Sequence, residues 1–141
     1  MAAGNKFQPF VENLAEKIIN LSGTLKVALT NTLPLTAQSV FDPGGVHPPP
    51  AAANGYPSGG AAVTVSASAQ TGGTYKLTIV DVVFTATAGG IGPFRYAIFY
   101  DDGAAADQLI GWYDYGSSIT LNVDETFTVD FDASAGVLTI A

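Results

Sequence analysis

Two aromatic and β-branched runs, set close together, constrain this chain more than any other feature. Positions 94–100 read Phe94-Arg95-Tyr96-Ala97-Ile98-Phe99-Tyr100, and positions 109–115 read Leu109-Ile110-Gly111-Trp112-Tyr113-Asp114-Tyr115. Side chains of these types fit a pleated, half-buried surface. Between them lies the short connection Asp101-Asp102-Gly103-Ala104-Ala105-Ala106-Asp107. Two such runs flanking a Gly-containing loop predict an antiparallel hairpin. Side chains alternate along a strand, so Phe94, Tyr96, Ile98 and Tyr100 fall on one expected face. Arg95, Ala97 and Phe99 fall on the other. Neither face is plainly polar, so each needs a cover: a second sheet on one side, and a helix, a loop or a neighbouring chain on the other.

The rest of the chain agrees with a β fold. Leu25, Val27 and Leu29 alternate inward in a strand over 25–31, and 63–69 alternates before a turn at Thr71-Gly72-Gly73. The run 75–87 exceeds the usual strand length of about 5–6 residues, and Asp81 in its middle predicts a bend, a bulge or a solvent-facing acid. Gly116-Ser117-Ser118 and Asn122-Val123-Asp124-Glu125 read as turns, and Phe127, Val129 and Phe131 alternate inward. Seven to nine short strands with regular turns predict a single mainly-β domain over 1–141, a β-sandwich that is jelly-roll-like or immunoglobulin-like.

Two segments break the β pattern. Phe7, Phe10, Val11, Leu14, Ile18 and Leu21 recur at helical spacing, with Pro9 suited to a first helical position and Gly23 to a left-handed cap. This predicts an amphipathic N-terminal helix over about 9–21, lying on the sheet. The stretch 32–60 has no period of 2 or 3.6 and holds Pro34, Pro43, Pro48, Pro49, Pro50 and Pro57. Loops of this length in a compact domain are functional or disordered. Pro48-Pro49-Pro50 is stiff, and Val40, Phe41 and Tyr56 are apolar anchors. The expectation is an extended arm that lies on its own domain or a neighbour's, with Val40, Phe41, Pro48, Pro49, Pro50 and Tyr56 as candidate partner-binding residues.

Composition narrows the function classes. Only 12% of residues are charged and the net charge is −7, from twelve acids against five bases. Nucleic-acid binding needs a basic stripe, so no nucleic-acid partner is expected. No apolar run approaches the roughly 20 residues of a membrane span, so no membrane association is expected. The N-terminus lacks a signal-peptide pattern, which predicts synthesis in a cytoplasm. With no cysteine, neither a disulfide framework nor a thiolate metal site is available. Sparse charge with apolar hairpin faces predicts a homo-oligomer.

Catalytic chemistry is thin. The single histidine, His47, sits beside three prolines and reads as an exposed loop residue. No nucleophile elbow and no phosphate loop is present. Asp130, Asp132 and Ser134 have the alternate spacing of a calcium loop, but Ala135 stands where the sharp-turn glycine belongs and no terminal Glu follows. Asp101, Asp102, Asp107 and Asp114 supply carboxylates for glycoside hydrolysis, although Asp101 and Asp102 serve equally as turn formers. Trp112, Tyr113 and Tyr115 offer stacking surfaces for sugars, or core packing. The expectation is a non-enzyme without cofactor or metal.

A resemblance extends this reading. The amphipathic opening before Leu25-Lys26-Val27-Ala28-Leu29-Thr30-Asn31-Thr32, then Asn54-Gly55-Tyr56-Pro57-Ser58-Gly59-Gly60, resembles small virion proteins of tailed bacteriophages. So do Gly92-Pro93-Phe94-Arg95-Tyr96-Ala97, Leu109-Ile110-Gly111-Trp112-Tyr113-Asp114-Tyr115-Gly116 and the tail over 125–140. The resemblance covers nearly the whole chain. Among such proteins, an acidic β-sandwich of this size is most similar to capsid decoration (cement) proteins. The resemblance implies binding to the major capsid protein and other virion proteins on the capsid exterior, with a trimer favoured because capsids offer threefold and quasi-threefold positions. A tail, baseplate or fibre component and a carbohydrate-binding module are the alternative roles.

Overall fold

The computed structural model describes residues 4–141. The chain is mainly β, with several antiparallel sheets. In chain order the elements are β1 (Gly4–Lys6), α1 (Phe10–Ala15), β2 (Leu25–Thr30), β3 (Ala61–Ala62), β4 (Val65–Thr71) and β5 (Thr74–Ile79). They continue with β6 (Val82–Thr85), β7 (Ile91–Asp101), β8 (Gln108–Leu121), β9 (Thr126–Val129) and β10 (Leu138–Ile140). A five-stranded sheet has the order β1-β8-β7-β2-β3; a three-stranded sheet has β10-β5-β4; β6 and β9 pair as a third.

The central hairpin forms as the sequence predicts. β7 and β8 pair antiparallel, with Ala97 opposite Tyr113 and Ile98 opposite Trp112. One expected face needs correction. Ile98, Tyr96 and Tyr100 share an apolar cluster with Leu109 and Trp112, but Phe94 joins Ala97 and Phe99 in the main core. Phe94 pairs with Ile119 while Tyr96 pairs with Asp114, so residues 115–118 bulge from β8 opposite Arg95. Strict alternation fails at such a break. The turn predicted at Gly116-Ser117-Ser118 is this bulge: β8 runs on through it to Leu121. Gly116 has φ +102°, and its N–H donates to Asp114 Oδ1 at 2.7 Å.

The long run 75–87 divides at Val80-Asp81 into β5 and β6, which belong to different sheets. Asp81 is exposed, and its Oδ1 accepts the Phe131 N–H at 2.8 Å. The acid therefore marks the crossing and ties it to the chain just past β9. The main core lies between the β2, β7 and β8 face carrying Val27, Phe99 and Ile110 and the side chains of the smaller sheets, Leu77, Ile79, Phe84 and Val129 among them.

The N-terminal helix is shorter than its periodicity predicts. Only Phe10–Ala15 is helical, not the expected 9–21. Lys17 takes the left-handed conformation (φ +63°), its N–H donates to Leu14 O at 3.2 Å, and the Ile18 N–H donates to Asn13 O at 2.8 Å. These two bonds are the Schellman ending of a helix, with lysine in the place usually held by glycine. Beyond it Ile19 and Leu21 are still buried, while Val11 and Ile18 of the expected stripe are exposed.

Candidate functional site

The stretch 32–60 has little regular structure but is tightly bonded to its own domain. Gln8 N–H donates to Thr36 O at 2.7 Å, and Val40 bridges Gln108. On either side of that bridge, Phe41 N–H donates to Asp107 O and Leu109 N–H to Ser39 O, each at 2.9 Å. Asn13 of α1, Ser39 and Gln108 join through side-chain hydrogen bonds of 3.0–3.3 Å. Further along, Thr30 Oγ1–H donates to Pro48 O at 2.9 Å and Tyr100 O–H to Gly59 O at 2.6 Å.

The arm also supplies apolar side chains to both faces of the five-stranded sheet. Phe41 stacks on Tyr100 with ring centroids 4.4 Å apart and belongs to the outer cluster with Ile98 and Trp112. Tyr56 enters the main core, stacked on Phe84 at 5.6 Å. Its hydroxyl accepts the Leu29 N–H at 3.0 Å. Burial pushes the Tyr56 phenol up to about 12, partly opposed by that bond. Burying Phe41 and Tyr56 contributes about 1.5–3 kcal/mol each. The second cover required by the hairpin is therefore this arm, together with Phe7.

His47 is not the exposed loop residue that its Pro/Gly surroundings predict; it is fully buried. Its ring lies 5.8 Å from Phe41. Asp42 N–H donates to Nδ1 at 3.1 Å, and Nε2 lies 2.9 Å from Gln38 Oε1. An Nδ1 that accepts must be unprotonated, so Nε2 carries the proton and donates to Gln38. Gln38 Oε1 accepts the Leu35 N–H as well, at 3.0 Å.

Of the six candidate arm residues, Phe41, Tyr56 and Pro50 are buried within the chain, Pro49 is half-buried, and Val40 and Pro48 are exposed. The structure adds three residues that the sequence did not single out. Leu33 and Leu35 are 54% and 60% exposed, and Val46 is exposed too. Pro34, between the two leucines, is buried. A Leu-Pro-Leu triplet in a segment with one acid, Asp42, was the available signal.

The acids suggested for catalysis are spread over structural tasks. Asp101 is buried and accepts N–H bonds from Asn20 (2.7 Å) and Gly103 (2.9 Å). Asp102 pairs with Lys26 at 3.1 Å. Asp114 forms a bidentate pair with Arg95 at 2.8 and 2.9 Å, which holds its carboxyl below the ordinary range. Asp107 is pushed up by burial and then by Asp102. Asp132 Oδ1 accepts the N–H groups of Ser134 and Ala135, both at 2.8 Å, so the calcium-like spacing builds a turn. Among the described residues no three His, Asp or Glu side chains converge as metal ligands.

The aromatic set is divided as well. Trp112 packs in the outer cluster, whereas Tyr113 packs against the main core, so the two share no platform. Tyr115 is exposed on the bulge, edge-on to Phe127, beside a cleft that Arg95, Tyr113 and Asp130 also line. No helix among the described residues is long and apolar enough to cross a membrane. Comparison with protein families, curated proteins and solved structures finds no match to this chain.

Proposed function

We propose that this chain is a non-enzymatic structural component of a tailed-bacteriophage virion, a decoration (cement) protein that binds the assembled head shell from outside and stabilises it. The observation that carries the reading is the outer surface of the arm. Leu33, Leu35, Val40 and Val46 are exposed there, on a segment fixed from behind by Phe41, His47, Pro50 and Tyr56. Apolar side chains on a pre-ordered segment lose little conformational entropy on docking. Repeated weak contacts over a shell then add by avidity, so no deep pocket is needed. The resemblance over residues 25–32, 54–60, 92–97 and 109–116 supports the same reading.

In this proposal the sheets pack as a β-sandwich of jelly-roll-like or immunoglobulin-like topology. The partner is the major capsid protein, with other virion proteins beside it. The chain is made in the host cytoplasm and acts on the capsid exterior as a homo-oligomer, a trimer at threefold or quasi-threefold positions. The test is a density map of the particle together with its copy number. Density over the shell, in copy numbers that scale with the capsid subunits, is the expected result. A few copies confined to the tail would replace the proposal with a tail, baseplate or fibre role. A double variant, Leu35→Asp with Val40→Asp, should detach from particles without losing its fold. Undiminished attachment would remove the arm from the interface.

A further inference from the structure

We infer that His47 is an acid-released latch: neutral, it holds the arm over the outer face of the β7–β8 hairpin, and its protonation frees residues 38–47 while the main core stays folded. The geometry decides the sign. Nδ1 accepts the Asp42 N–H and the Nε2 proton goes to Gln38 Oε1. A second proton has to go on Nδ1, where it meets another donor, so the Asp42 bond is lost. The new charge is enclosed against Phe41, where desolvation opposes it.

Neighbouring groups do not cancel this. Asp42, on the same turn, favours the proton, but desolvation of the ring is the larger effect and lowers the His47 pKa from its ordinary 6.5. From the sheet, Tyr100 faces the latch through Phe41, and burial keeps its phenol neutral far above the working range. Gln38, Ser39, Asn13 and Gln108, which clip the same segment, are uncharged. Asp107 supplies the carbonyl for the Phe41 N–H, and its own carboxyl is raised by burial and by Asp102. It therefore titrates in acid too, and the test must separate it from His47.

The released arm binds a proton more readily than the docked one. Docking is thus fully favoured above about pH 6.5 and weakens as pH falls through the window between that value and the lowered pKa of the docked ring. Within the window each pH unit shifts the docked-to-released ratio by up to about tenfold. Release uncovers Phe41, Ile98, Tyr100 and Trp112. The latch rests on contacts within the chain and not on what the outer surface of the arm meets, so its failure would leave the proposed virion role standing, and the reverse also holds.

The chain has one histidine and one tryptophan, so each reports without ambiguity. The experiment follows the His47 ring by proton NMR and Trp112 by fluorescence from pH 8 to pH 4. Amide hydrogen exchange over residues 38–47 and over β6 and β9 is measured in parallel. The expected result is a His47 midpoint below about 6.5, a Trp112 change over the same range, and faster exchange in 38–47 with β6 and β9 still protected. His47→Phe keeps a ring against Phe41 and should abolish the Trp112 step. A His47 midpoint at or above the ordinary value would overturn the latch. So would a Trp112 signal that is flat across the His47 titration, an acid step that survives in His47→Phe and so belongs to Asp107, or simultaneous loss of protection in β6 and β9.

Discussion

Tyr56→Phe isolates the one polar contact by which the arm completes the backbone of a central strand. Leu29 in β2 is fully buried, and its N–H donates to the Tyr56 hydroxyl at 3.0 Å. β3, the neighbour of β2 on that side, is only two residues long and reaches Lys26 and Val27. The tyrosine oxygen therefore stands where a longer β3 would place a carbonyl. Phenylalanine keeps the ring against Phe84 and removes only the acceptor. A buried donor left without a partner costs about 1–3 kcal/mol; relief of the hydroxyl's own desolvation offsets part of this, leaving an expected loss of about 1–2 kcal/mol. In a chain of this length that lowers the melting temperature by about 5 °C. Urea unfolding should show a lower midpoint with an unchanged slope. Tyr100→Phe is the comparison, since its hydroxyl donates to Gly59 O. Its loss orphans a carbonyl, which is tolerated better than an orphaned N–H. Alkaline pH supplies a second readout. The Tyr56 phenol is raised from 10 to about 12 in the folded chain. Its contribution is complete below pH 10 and falls as pH rises from 10 towards 12, and Tyr56→Phe should remove that part of the alkaline loss. An unchanged urea midpoint would refute the account.

Three other substitutions test local claims. Asp101→Asn keeps one acceptor but turns an amide NH₂ towards the Asn20 or Gly103 N–H, so thermal unfolding should show a loss of about 1–3 kcal/mol. Lys17→Gly relieves a left-handed lysine at the helix ending and should raise stability by about 0.5–1 kcal/mol in the same measurement; a decrease would contradict the assigned Schellman ending. Gly60→Ala puts a Cβ onto the backbone of Val27 and Ala28 at φ +87°, so a loss of at least about 2 kcal/mol is expected, with hydrogen exchange fastest in β2 and β3.

The hairpin was legible because its signal is local and dense: aromatic and β-branched residues on two runs joined by a loop too short for any other connection. Its need for two covers was legible for the same reason, since neither face carries enough polar side chains to meet water. The bulge at 115–118 was visible only as a turn, because Gly116 reveals a special φ without showing whether the strand resumes beyond it. The helix is shorter than its spacing predicts because apolar spacing reports which side chains go inward, not the backbone angles that put them there. Ile19 and Leu21 are buried after the helix has ended. The burial of His47 is not legible in the sequence because its partners, Gln38 and the Asp42 N–H, are assembled by a loop with no period, and prolines and glycines around a polar residue ordinarily mean exposure.

What the sequence left open was the destination of the arm, and the two sides of the sheet show why the choice matters. The inner face of β2, β7 and β8 is covered by Leu77, Phe84 and Val129 from other strands. The outer face, with Tyr96, Ile98, Tyr100 and Trp112, draws its cover from Phe7 and Phe41. Phe41 can stay there only if residues 38–47 hold a closed shape, and the neutral His47 ring fixes that shape through bonds to Gln38 and Asp42. A segment committed inward at Phe41, His47, Pro50 and Tyr56 has little freedom in what it turns outward. Leu33, Leu35, Val40 and Val46 are therefore presented in a fixed arrangement by the residues that complete the fold. Packing of the outer face and exposure of these four apolar side chains are two sides of the same 29-residue stretch, residues 32–60.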